Sequence, residues 1–109
     1  MKKIMRQYRQ GDVLLIEIEQ PSRTGKPIDP QDTRVVLARG ELSGHAHVIQ
    51  NSNGQAHLFE GPGDRRYLLM TETGRLQHEE HLAIVLECGW YEVRRQRQYD
   101  PAGPTLTGD

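Results

Sequence analysis

The chain has 109 residues, enough for one domain with a modest core. Lys and Arg total 14 against 15 Asp and Glu, a formal charge of -1, so no global field selects nucleic acid or an anionic membrane as partner. Cys88 is the lone cysteine, which excludes an internal disulfide and fits a reducing cytoplasm.

The N-terminal stretch MKKIMRQYRQ is charged but has no apolar segment of the kind a signal peptide carries. No run approaches the ~18 apolar residues that a membrane span needs, so a cytoplasmic protein without a membrane partner is expected. Lys2, Lys3, Arg6 and Arg9 gather at one end, and Arg94, Arg95 and Arg97 near the other. They are either two solvated strand faces or a basic patch formed where the ends pair.

Helical periodicity is almost absent, and turn residues recur at the spacing of an all-β sandwich or barrel. DVLLIEIE reads as a half-buried strand with Leu14, Ile16 and Ile18 inward and Glu17 and Glu19 outward. The polar, proline-broken stretch from Gln20 to Thr33 is too irregular for an element and longer than most connections. A lid, a binding loop or a tolerated insertion would each account for it, and a mobile loop is expected. RVVLARG is the next strand. HAHVIQ and QAHLFE flank an Asn53-Gly54 turn, the strongest hairpin signal in the chain. RRYLLMTE, RLQ, HLAIVLE and WYEVRRQRQY follow, the last two as a hairpin about Cys88-Gly89. The expectation is an all-β fold of about eight short strands, mainly antiparallel, closed as a small cupin-like barrel or stacked as two sheets. Residues 1–99 would form that one unit, with 100–109 a flexible tail. Val35, Leu37, Leu82, Ile84, Leu86, Cys88 and Val93 should join the core.

Four of the five histidines fall into two tight clusters. His45 and His47 lie one residue apart on a strand, so they share a face and can offer two imidazoles to one ion. His78 and His81 point apart on a regular strand but converge if the segment HEEH makes a single 3₁₀ turn. A shared divalent metal, with Zn, Fe, Ni, Cu and Mn all compatible with imidazole, is expected on His45, His47, His78 and His81. Glu79 and Glu80 would act as general base, as partners that orient a ligating imidazole, or as alternative ligands. If Asn53 and Gly54 are the two central residues of the hairpin turn, His57 faces away from the site and Glu60 lies opposite His47 as a further carboxylate candidate.

GDVLL, GELSGHAHVI, HEEH and GWYEVRRQRQY together resemble a family of short, uncharacterised bacterial and phage-borne proteins, over Gly11 to Tyr99 without the proline-rich loop. That resemblance implies bacterial origin and supplies no activity to carry over. More distantly, Gly40, His45 and His47 are similar to the start of the first cupin motif, which implies a β-barrel with a metal. The departures are that the next Glu after His47 is Glu60, and that the next His after Gly61–Asp64 is His78.

Two functional classes follow. One is a metal-dependent enzyme with an open coordination position, acting on a small phosphorylated or nucleotide-like substrate or in oxygen-dependent chemistry. The other is a non-catalytic binding module with a structural metal or a polar histidine rim. A small-molecule ligand and a second copy of the chain are compatible partners. Nucleic acid is disfavoured by the neutral charge and the scarcity of aromatics for base stacking.

Overall fold

The computed structural model describes residues 5–39 and 45–95, together with the backbone of 99–100 and 103–104. The fold is all-β. In chain order the strands are β1 (Gln7–Gln10), β2 (Val13–Ile18), β3 (Pro27–Ile28), β4 (Arg34–Arg39), β5 (Ala46–Gln50), β6 (Ala56–Glu60), β7 (Arg66–Met70), β8 (Gly74–Gln77), β9 (Ile84–Leu86), β10 (Gly89–Arg95), β11 (Tyr99–Asp100) and β12 (Gly103–Pro104). β1-β2-β10-β7-β6-β3 form a six-stranded sheet and β4-β5-β8-β9 a four-stranded one, with all pairings antiparallel. β11 and β12 pair only with each other, and the rest of the tail expected to be flexible lies outside the described residues.

The two sheets form a sandwich with edges at β1, β3, β4 and β9, and they do not close into a barrel. The reason lies in two turns that the sequence signals correctly as reversals but that lead to the other sheet. Asn53-Gly54 does not join paired strands: β5 pairs with β4 and β8, whereas β6 pairs with β7 and β3. The turn closes with the Gly54 amide donating to Asn51 O at 3.0 Å, and Gly54 has φ 66°, a left-handed conformation in which a side chain is strained. Likewise β9 pairs with β8, and β10 with β2 and β7, so the reversal at Cys88-Gly89 crosses between sheets.

The inner face of β2 is Val13, Leu15 and Glu17, the opposite register from the one expected. Leu14, Ile16 and Ile18 are half-buried on the outer face. Buried Glu17 is met by Arg6, with Nε 3.3 Å from its carboxylate, so its charge does not force it outward. Beneath β2 and its neighbours, Leu58, Leu68, Tyr91 and Val93 pack against Val35, Leu37, Ile49, Leu76 and Leu86 from the smaller sheet. The proline-rich stretch is anchored as well. Pro27 and Ile28 pair with β6 as an edge strand, and the Gly25 amide donates to Glu60 O at 2.7 Å.

Two other expected core residues lie at the surface. Cys88 is exposed, its thiol 3.5 Å from Thr71 O, because it sits at the crossing between sheets. Leu82 is 90% exposed, since the residues between HEEH and β9 are irregular, whereas half-buried Ile84 packs on the core. Ile84→Ala should therefore cost about 1–2 kcal/mol, below the range for a fully buried aliphatic. Leu82→Ala should stay within about 0.5 kcal/mol. Urea denaturation of the two variants checks the contrast, and equal losses would contradict it.

Candidate metal centre

The two histidine clusters meet at one corner of the sandwich, where β5 begins and β8 ends. β5 lies beside β8, with Val48 opposite Gln77, so His47 and His78 are brought to one place by strand register. The ring centroids of His47 and His78 are 4.4 Å apart, those of His78 and His81 4.6 Å, and those of His45 and His78 5.6 Å. His47 and His81 are stacked at 6.3 Å with their planes 10° apart. His78 and His81 converge through a bend rather than a 3₁₀ turn: His78 Nδ1 accepts the backbone N–H groups of Glu80 at 3.0 Å and His81 at 3.2 Å.

The members differ in what they can do. His45, His78 and Glu79 each present a ligand atom within 4.8 Å of the other two. Glu79 Oε2 accepts the Ala46 amide at 3.1 Å, which ties the bend to the start of β5. Backbone N–H groups, its own foremost and then that of Ala46, hold its carboxyl below the usual carboxylate range, and His45 and His78 add to this. Glu80 lies beside His45, with Oε1 3.4 Å from Nδ1.

His47 is fully buried behind this group. Gln10 fixes its orientation. The Gln10 amide donates from Nε2 to Leu76 O at 3.0 Å and Leu82 O at 2.8 Å, so its Oε1 is the acceptor for His47 Nδ1 at 2.8 Å. Nδ1 therefore carries the proton. Nε2 faces Asp12 Oδ1 at 3.3 Å, and Asp12 Oδ2 takes Arg95 Nε at 2.5 Å. Burial first, and His78 next, push the His47 pKa down to about 4, outweighing the pull of Asp12.

The other candidates fall elsewhere. His57 is exposed on β6 of the six-stranded sheet, opposite Leu69, so it is separated from the cluster by sheet rather than by hairpin parity. Glu60 is on the same strand opposite Arg66; it does not lie across from His47, whose partner in the ladder is Ala38. Gly40 lies outside the described residues. Gln10 and Asp12, which hold His47, were not legible as site residues. The one signal for them is the Gly11-Asp12 pair, a two-residue hairpin turn with Gly11 at φ 58° that sets both beside the cluster. Of the basic ends, Lys2, Lys3 and Arg97 lie outside the described residues, while Arg6, Arg94 and Arg95 are met by Glu17, Glu92 and Asp12.

Among the described residues no helix is long and apolar enough to cross a membrane. Comparison with curated proteins and with solved structures returns no match in either set. A family model does match, over residues 9–96, a span that contains the whole corner from Gln10 through His81 to Arg95. On that match the chain belongs to the family described as a domain of unknown function, DUF8820.

Proposed function

We propose that the histidine corner is an open divalent-metal site with His45, His78 and Glu79 as ligands. The observation that carries this reading is the approach of their ligand atoms to within 4.8 Å of one another, the spacing from which two imidazoles and a carboxylate can close on one ion. Three protein ligands leave room for water or a substrate oxygen, as metal sites that perform chemistry do. Glu80, close to His45 Nδ1, would orient that imidazole and supply a general base beside a bound metal. His47 is the floor of the site, and His81 lines it beside His78.

The state of His78 gives the reading a consequence. Its Nδ1 accepts two backbone N–H groups, so in the neutral ring Nε2 carries the proton. Coordination through either nitrogen needs that arrangement to change, because the ligating nitrogen must offer a lone pair. Metal binding should therefore loosen the bend at Glu79–His81. Zinc titration of the purified, tag-free protein should load about one equivalent, with the amide resonances of Glu80 and His81 moving most. His45→Ala, His78→Ala and Glu79→Gln should each weaken zinc binding at least about tenfold, and His57→Ala should leave it unchanged. Stoichiometric zinc in a His45→Ala/His78→Ala double variant would remove the assignment.

A further inference from the structure

We infer a second site, independent of the metal reading, that takes a small amphiphilic anion between the two sheets. A half-open pocket of about 480 Å³ lies where β4 faces β2, β6 and β10. That volume is within the ~300–1,000 Å³ usual for small-molecule sites. Its lining is mixed: charged and polar groups stand beside an apolar part, with Ile28, Val36 and Ala38 half-buried and Val35, Leu37 and Leu58 deeper.

A β-bulge opens this end of the sandwich. The pairing of β4 with β5 shifts register between Val36 and Ala38, which releases Leu37 from the ladder. The carbonyl of Leu37 is taken instead by Arg66, which reaches across from the larger sheet with Nη1 at 3.1 Å.

Charge selects the ligand. Arg39, Arg66, Arg94 and Arg95 line the pocket against Asp29 and Asp64, a local surplus of positive charge in a chain whose net charge is -1. Arg94 and Arg95 are committed to Glu92 and to buried Asp12. Arg66 and Arg39 are different: their hydrogen-bond partners among the described residues are neutral oxygens, Leu37 O and Gln31 Oε1. A guanidinium has five N–H donors in a fork that matches a carboxylate or phosphate group. Two such forks beside an apolar wall fit a ligand with one anionic head and a short hydrocarbon body. Asp12 and Arg95 stand between this pocket and His47, so the two sites are separated by a shared pair.

Sodium octanoate and inorganic phosphate are the probes, titrated into the full chain by calorimetry and by amide chemical shifts, with EDTA present so that metal plays no part. Octanoate should bind, moving the resonances of Val36, Leu37 and Ala38, and phosphate should bind at least about tenfold more weakly because it leaves the apolar wall uncovered. Arg39→Gln and Arg66→Gln should each lower octanoate affinity about tenfold, and Arg75→Gln, at an exposed position of β8, should not. Arg66 also bridges the sheets, so its variant is read only if its melting curve stays cooperative; Arg39 is exposed and carries the test on its own. Octanoate binding that ignores Arg39→Gln, or no binding at millimolar concentration, would overturn the site. Phosphate binding as tight as octanoate would overturn the amphiphilic ligand.

Discussion

Asp12→Ala should lower the unfolding free energy by about 3 kcal/mol, the bottom of the ~3–5 kcal/mol range for breaking a buried ion pair by removing one partner. Asp12 is 6% exposed and holds Arg95 through Oδ2 at 2.5 Å. Arg95 in turn donates to Arg39 O, which ties β10 of the larger sheet to β4 of the smaller one. With Ala at position 12 the guanidinium keeps that carbonyl alone among the described residues. Its side chain is 24% exposed, so water recovers part of the lost solvation, which is why the lower bound is expected. The comparison is Glu87→Ala, which removes an ion pair with Arg6 whose side chains are 51% and 59% exposed. Water screens that pair on both sides, so its loss should be much smaller. Urea denaturation at neutral pH gives both numbers. A loss at Asp12 as small as that at Glu87 would mean that the pair does not join the sheets.

Most strands were legible because a strand has a period of two and the chain breaks at Gly, Pro and Asn. Their partners were not. Asn53-Gly54 and Cys88-Gly89 reverse the chain, but a turn sequence does not say whether the returning strand joins the same ladder or the facing sheet. In β2 both alternating sets are apolar enough to be buried, and Glu17 pointed to the wrong one. A carboxylate can face inward when a partner far along the chain reaches it, as Arg6 does. The histidine corner was legible in outline, since two clusters on short strands could be neighbours. The division of labour inside it was not. His47 is held by Gln10 and Asp12, whose side chains come from the end of β1 and the β1–β2 turn, and no local pattern links them to HAH.

Lowering the pH from about 6.5 to about 4 should destabilise the metal-free fold by about 3 kcal/mol through His47 alone, from a shift of roughly 2.5 pH units at ~1.36 kcal/mol each. His47 is fully buried, and its folded pKa of about 4 lies below the ordinary value of 6.5. Between those values the unfolded chain binds a proton on this ring and the folded protein does not. Stability therefore rises with pH in that window. The contribution is complete above about 6.5 and is lost progressively as the pH falls to about 4, below which both states are protonated and the slope vanishes. The urea midpoint, measured with EDTA across this range, should fall steadily. In His47→Gln the ring that takes up the proton on unfolding is gone, so most of the slope between pH 6.5 and 4 should go with it, whatever the variant's stability at neutral pH. Asp12→Asn should act the other way. Asp12 is the neighbour that favours the imidazolium, so its neutralisation should push the His47 pKa further down and extend the sloping region to lower pH. An unchanged slope in His47→Gln would assign the acid sensitivity to other groups.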